Sequence, residues 1–504
     1  GGVGEKYIGD NLMIVGEVQK QVYHNHVIKG KRASFEEFCE RNVDCAFNKE
    51  NLKERYGPSI LSTGAFYKDF LKYDEPIAVG LINFPCLINA YLNVENKLLD
   101  LGFEGNCGPE WDPYVIYQDL NKKAAMGALY AGKKQEWLDS IQPQEFIECV
   151  KHSYQMLGMG AVGVWSGSLK AELRSREKIA EGKTRVFTGA PIDVLLAGKV
   201  LVDNFNNYFY SQHLKGPWSV GINKFNRGWD RLANTFDHTW KFIDCDGSRF
   251  DSSLSPVLFQ LICHLRERFG TFDKGETRAL RNLYSQIVYT PILTIDGYIV
   301  KKHKGNNSGQ PSTVVDNTLI LMIVVEYCRS VIKNNTGIEM KFKYMCNGDD
   351  LIINAPQDEI SVIQERFAKL FKDCGLNYNF NDVHDSIEEV EYMSHKFMKK
   401  DGIYIPKLCR ERIVAILEWE RSDELFRTRS ALNAAFIESF GYSDLQDDIK
   451  KFANFWANKH GIQYPLLSDE RVEKLYMDEN FSLGELDMEA LMPDIFTFGE
   501  IELQ

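Results

Sequence analysis

No two of the 11 cysteines stand as Cys-x-x-Cys, which removes both a zinc ribbon and a disulfide framework, so the thiols read as reduced and mostly buried. Long hydrophobic runs are also missing. The longest, Leu319–Val325, falls far short of the roughly 20 apolar residues of a membrane span. No secretory n-region and h-region opens the chain, which starts at Gly1. There is no repeat, no low-complexity tract and no obvious linker. Positive charge is in deficit: 59 Lys and Arg against 71 Asp and Glu give a formal charge of −12. That balance argues against indiscriminate coating of nucleic acid, while leaving room for a locally basic channel. The isolated pair His24 and His26 reads as a surface strand end.

What is present suits a large globular protein: 504 residues, 44% hydrophobic and 26% charged. The most informative stretch is Phe342 to Asn354, FKYMCNGDDLIIN. Two short apolar strands are expected, with a tight turn at Asn347-Gly348, because both residues accept positive φ cheaply. Asp349 and Asp350 follow side by side. Two carboxylates on one rigid ribbon repel unless a cation lies between them, and Mg²⁺ takes one or two carboxylates together with substrate phosphates. A polar turn is the plainer reading of this stretch alone, so a second carboxylate strand decides the matter. Trp240–Asp246 supplies it, with Asp244 and Asp246 on one face of a buried strand and Asp251 five residues beyond Asp246.

Residues 170–185 form a basic island in an acidic chain. Lys170, Arg174, Arg176, Lys178, Lys183 and Arg185 outnumber three glutamates there. The plain alternative is a solvated helix face; the functional reading is a basic strand pair holding a triphosphate, whose counter-charge must be local. Gly305 to Pro311 is an amide-rich loop feeding a helix from about residue 312 to 331, with Thr313 and Asn317 one turn apart. Two formal motif matches fail. Gly158 to Gly163 has the glycines of a dinucleotide fingerprint, but a helix precedes it where a strand is required. Gly182-Lys183-Thr184 ends like a phosphate-binding loop, yet Glu177 stands where its first glycine belongs. Elsewhere, residues 61–160 and 405–460 read as mainly helical, Tyr56 to Ser59 as a loop, 290–304 as a hairpin, 360–374 as a helix and Val390–Met398 as a strand. Beyond Ser468 the balance turns acidic, notably from Glu485 to Glu489.

Taken in order, these pieces resemble the motif set of viral RNA-dependent RNA polymerases. Gly348-Asp349-Asp350 resembles the metal-binding hairpin, Asp246-x4-Asp251 the preceding carboxylate strand, Ser308-Gly309-x3-Thr313-x3-Asn317 the nucleotide-selecting loop and helix. Lys170-x3-Arg174 with Lys183-Thr184-Arg185 resembles the basic strands. Ala124 to Tyr130, His26 to Lys31, Asp246 to Ser253 and Met393-Ser394-His395 narrow the resemblance to the potyvirus family. Gly1 and Leu503-Gln504 resemble ends cut from a polyprotein by a glutamine-specific protease.

The resemblance implies an α+β right-hand polymerase fold of the closed viral type. Fingers would occupy 1–202 with an insertion at 285–305, the palm 203–284 and 306–398, and the thumb with an acidic tail 399–504. It implies two-metal nucleotidyl transfer, Asp246 and Asp349 bridging Mg²⁺ (or Mn²⁺) ions and Asp350 an auxiliary ligand. Lys170, Arg174, Lys178 and Arg185 would neutralise the triphosphate. Asp251 and Asn317, oriented by Ser308, Gly309 and Thr313, would read the ribose 2′-hydroxyl. Relatives carry a lysine general acid after the helix that follows the hairpin. Asn377–Glu389 contains none, which leaves His384 as the candidate and Lys372 as a weaker one. RNA template and product, NTPs, a uridylylated genome-linked protein as primer, the viral protease precursor and host translation factors are the implied partners. Cytoplasmic membrane-associated replication complexes, with the nucleus as a second site, are the implied setting. Two rivals stand beside this reading: a reverse transcriptase, and a non-catalytic scaffold with a polymerase-like palm.

Overall fold

The computed structural model describes residues 6–19, 27–122, 126–130 and 132–484. Gly1, His24, His26, Ala124, Ala125, the acidic run from Glu485 to Glu489 and the pair Leu503-Gln504 lie outside the described residues.

A four-stranded antiparallel sheet sits at the centre, in the order Lys343–Asn347, Asp350–Ala355, Lys241–Ser248, Asn377–His384. Strand residues alternate between its faces. Ile243, Cys245, Tyr344, Cys346, Leu351 and Ile353 enter the large core. Phe242, Met345 and Ile352 enter a smaller one with Trp229, Tyr392 and Phe397. Buried on both faces, Lys343–Asn347 and Asp350–Ala355 read as nearly continuous apolar runs. Behind the sheet lie the helices Gln357–Asp373 and Thr313–Thr336. The latter is buried over most of its length, Asp316, Asn317 and Thr318 included. It runs past the expected end because nothing before Gly337 stops it; Gly337, at φ 75°, supplies the left-handed cap.

A six-stranded sheet joins Lys6–Ile8, Leu12–Glu17 and the strands Trp165–Leu169 and Val186–Gly189 to the hairpin Pro291–Leu293 and Tyr298–Lys301. The turn falls at Gly297, φ 94°, as Asp296-Gly297 predicts. Three local expectations are corrected. Tyr56–Pro58 is a strand, paired with Leu173–Ser175, because its edge position tolerates the proline that suggested a loop. Val390–Met398 is no single strand but a hairpin, Glu391–Tyr392 with His395–Lys400. Its turn residues Met393 and Ser394 hold φ of 53° and 65°, a sign pattern that side chains of these types do not advertise. The metal-hairpin turn is also shifted by one residue, as described below.

The N-terminal arm packs against the C-terminal part of the chain. Phe35, Phe38, Phe47 and Leu52 belong to the core built by residues 405–483, and Gly30–Lys31 pairs with Trp419–Glu420. Arg32, buried, donates to the Leu417 carbonyl at 2.9 Å and to Thr428 Oγ1 at 2.7 Å. The arm thus fastens the N-terminal part of the chain to the C-terminal core. All eleven cysteines are free, and nine are buried. Among the described residues no helix is long and apolar enough to cross a membrane.

Candidate active site

The hairpin register pairs Asn347 with Asp350, so the turn residues are Gly348 and Asp349. Gly348 has φ 59° and Asp349 is not among the positive-φ residues, the sign pattern of a type II′ turn, which places glycine first. Three anchors hold this turn. Thr318 Oγ1, on the long helix, accepts from the Gly348 N–H at 2.8 Å. Asn347 Nδ2 donates to Ser219 Oγ at 3.0 Å, and the Tyr378 hydroxyl donates to the Asp349 carbonyl. Tyr378 reaches that carbonyl because Gly247 has no side chain: a Cβ there would lie 2.6 Å from its ring.

Antiparallel pairing of Leu351 with Cys245 carries Asp350 opposite Asp246 at the sheet edge. Charge bears out the crowding. Burial, then the Asp251 charge, with Asp246 also contributing, pushes the Asp349 carboxyl up to about 6, against the pull of Arg185. Burial and the charges of Asp349, Asp244, Glu391 and Asp246 drive Asp350 well above the usual carboxylate range. The carboxylates separated by about a hundred positions in sequence therefore share one cleft. Asp244, on the same strand face as Asp246, is turned toward Glu391, whose N–H it accepts at 3.2 Å.

Across from Asp349 stands the basic island. Lys170 closes one strand and Arg185 opens its antiparallel neighbour, joined by Lys170 N–H to the Arg185 carbonyl at 2.9 Å. Arg174 lies on the Leu173–Ser175 strand and Lys178 on the short helix Arg176–Ala180. Glu172, which the sequence did not single out, ties them: Arg185 Nε donates to it at 2.7 Å and Arg174 Nη1 at 3.4 Å. Burial and then Arg185 push Lys170 down to about 7, with Arg174 adding to the effect and Glu172 opposing it. Lys178 and Arg174 are likewise lowered, by burial first and by neighbouring cations next. Cations that depress one another in this way gain most from an arriving polyanion.

Asp251 accepts from Asn317 Nδ2 at 2.7 Å. Gly309 packs so closely on the Thr188–Gly189 backbone that a Cβ would lie 2.6 Å from the Thr188 carbonyl. Ser308 Oγ accepts from the Thr188 N–H at 2.9 Å. The Thr313 hydroxyl is spent on the Asn307 carbonyl at 2.6 Å. Ser308, Gly309 and Thr313 therefore shape the loop, and Asp251 with Asn317 form its polar edge. His384 is placed elsewhere. It pairs with Phe242, whereas Asn379 pairs with Asp246; four strand steps separate Phe242 from Asp246, about 14 Å at roughly 3.4 Å each. Its Nδ1 lies 3.5 Å from Glu389. Lys372 stands exposed in the last turn of its helix.

Among the described residues no three His, Cys, Asp or Glu side chains close into a metal cage. The donor set suits a hard cation completed by substrate: two or three crowded carboxylates, with phosphate oxygens supplying the remaining ligands.

The profile of the family described as viral RNA-dependent RNA polymerase matches residues 36–457. The chain belongs to the viral RNA-dependent RNA polymerases. It is 57% identical over 496 residues to the genome polyprotein of Sweet potato mild mottle virus (isolate Salazar), covering 98% of this chain and 14% of the polyprotein. To that of Brome streak virus (strain German) it is 46% identical over 474 residues, 94% of this chain and 50% of that sequence. To that of Lettuce mosaic virus (strain E) it is 44% identical over 492 residues, 95% of this chain and 15% of that sequence. The chain thus spans half or less of the length of these relatives. The resemblance to the potyvirus-family polymerase is borne out. Viral RNA-dependent RNA polymerases generally depend on a divalent metal, which accords with the acids found here.

Proposed function

We propose that this polymerase copies RNA from an RNA template, replicating a positive-strand viral genome from a 3′-hydroxyl primer. The observation that carries the reading is the convergence of Asp246, Asp349 and Asp350 in one cleft, with the Arg185 charge acting on Asp349. In the reaction a bond forms between the primer 3′-oxygen and the α-phosphorus, and the bond to the β-phosphate oxygen breaks, releasing pyrophosphate. Asp246 and Asp349 would hold the divalent ions, Mg²⁺ or Mn²⁺, with Asp350 beside them; when bound, the ions neutralise phosphate charge and lower the pKa of the attacking hydroxyl. Lys170, Arg174, Lys178 and Arg185 grip the triphosphate, the arginines through their bidentate forks. An incoming phosphate competes with Glu172 for Arg174 and Arg185, so those side chains are held ready rather than searching for a partner. Asp251 and Asn317 read the 2′-hydroxyl. His384 is given no part in protonating pyrophosphate, because its position is remote and its partner is Glu389.

The right-hand division is part of the same proposal. The six-stranded sheet with its 291–301 hairpin supports fingers, the four-stranded sheet the palm, and the helical C-terminal core the thumb. A genome-linked protein primer, a protease precursor, host translation factors and membrane-associated replication complexes are supported by family resemblance alone. Primer extension on poly(A) with UTP tests the central claim: metal-dependent synthesis that Asp349→Ala abolishes, without loss of fold, is expected. Near-normal extension by that variant would end the assignment.

A further inference from the structure

Behind Asp251 and Asn317 lies a chain of buried amides. Asn306, Gln310 and Asp316 are 0%, 2% and 0% exposed, and each hydrogen bond between them has a direction that the next inherits. Asp316 is a fixed acceptor, held by Arg266 Nη2 at 2.8 Å and by the Tyr284 hydroxyl at 2.8 Å. Gln310 must therefore turn its NH₂ group toward Asp316 (2.9 Å), and its Oε1 accepts from the Ser312 N–H at 2.7 Å. The same NH₂ group donates to Asn306 Oδ1 at 3.1 Å, which also accepts from the Asn307 N–H at 2.9 Å. With its oxygen so committed, Asn306 can offer only Nδ2 to Asn317, whose Oδ1 accepts at 2.9 Å. Asn317 is left with its NH₂ group facing the Asp251 carboxylate at 2.7 Å.

The outcome is a donor from Asn317 beside an acceptor from Asp251. A hydroxyl, which both gives and takes one hydrogen bond, satisfies that pair; a C–H does not. Reversing the Asn317 amide would set oxygen against carboxylate and erase the selectivity. An amide has no intrinsic preference between the two orientations, so something other than Asn317 must choose.

We propose that Asn306 and Gln310 are positioning residues for ribose selection: they relay the direction fixed by the buried Arg266–Asp316 pair and so set the amide polarity of Asn317. This rests on the reading of Asp251 and Asn317 as the 2′-hydroxyl readers. Asn306→Asp is the sharpest probe. Its second oxygen would demand a donor from Asn317, turning the Asn317 oxygen onto Asp251.

The test measures kcat/KM of the full chain for ATP and for 2′-deoxy-ATP on one primer–template, in wild type, Asn306→Asp, Asn306→Ala, Gln310→Met and Asn317→Asp. A merely structural defect scales both substrates alike and leaves their ratio in place. The expected result is a ribose preference lowered about tenfold or more in Asn306→Asp and Asn317→Asp, with Asn306→Ala and Gln310→Met intermediate. Should Asn306→Asp fail to fold by thermal melting, the two uncharged variants carry the test. A wild-type ratio in the Asn306 and Gln310 variants, with Asn317→Asp still relaxed, would overturn the relay and leave the ribose readers standing. A wild-type ratio in Asn317→Asp would remove the readers and the relay together.

Discussion

Asp349 serves two opposed requirements, and its protonation shows which one wins when substrate is absent. Its carboxyl is raised to about 6 in the folded chain, above its unfolded value. The group's contribution to stability is complete below the unfolded pKa and is lost as pH rises through about 6. At pH 7.5 the ionised cluster therefore strains the fold that presents it. Asp349→Asn should melt higher than wild type at pH 7.5, by about 1 kcal/mol, a figure discounted for screening because the side chain, though crowded by protein atoms, still reaches solvent, and should lose primer extension on the order of a thousandfold. The melting advantage should shrink toward pH 5, and added Mg²⁺ should raise the melting temperature of wild type only; equal melting of the two proteins across this range would contradict the crowding. Lys170 gives the complementary titration. Held near 7, it is mostly neutral in the free protein above that value, so a triphosphate bound there as proposed would take up a proton. KM for NTP should rise about tenfold from pH 7 to 8.5, and Lys170→Arg, always charged, should flatten that rise.

At the scale of elements, the hairpin that carries Asp349 and Asp350 is held in place because its neighbours leave it no freedom. The Tyr378 ring needs the space over Gly247, and its hydroxyl needs the Asp349 carbonyl. Gly247→Ala should push the ring aside and lower kcat about tenfold, whereas Tyr378→Phe keeps the ring and loses one hydrogen bond, a few-fold effect. Steady-state extension kinetics with both variants checks the order; a more damaging Tyr378→Phe would mean that the ring position is irrelevant. Such dependence explains what was readable in the sequence. The meeting of Asp246, Asp349 and Asp350 was legible because local turn and strand signals place each carboxylate before any tertiary contact is known. Asp251, Asn317 and the basic island followed from spacing. Tyr378, Ser219 and Glu172 were not legible, since each acts through a contact distant in sequence and carries no pattern of its own. The turn at Met393-Ser394 was missed because tertiary packing imposes positive φ on residues that do not favour it. The packing of the arm at 28–54 on the C-terminal core was not legible, because its phenylalanines mark a core without saying whose.

Across the whole molecule, a buried ion pair joins three distant parts. Lys224 Nζ donates to Glu438 Oε1 at 2.6 Å, with side chains 1% and 0% exposed, and lies 2.9 Å from His395 Nε2. His395 Nδ1 faces the Met393 carbonyl at 2.6 Å, so Nδ1 carries the proton and Nε2 accepts from the lysine. The contact ties the chain before Gly228 and the His395 hairpin to the C-terminal helix Leu425–Glu438, as the N-terminal arm does from the other side. Burial first, then the Lys224 charge, holds His395 well below the usual histidine value, with Arg412 and Lys407 adding to the effect. The stability that this contributes is present above about 6.5 and is lost as pH falls below it. Lys224→Met would strand the Glu438 carboxylate in the core and should cost about 3–5 kcal/mol. Lys224→Met combined with Glu438→Leu removes both charges and should recover most of that loss, because a buried pair exchanged for apolar groups of similar volume is close to neutral. Urea unfolding of the wild type, both single variants and the double variant at pH 7.5 measures the coupling directly. Additive losses in the double variant would show that the two charges do not act as a pair.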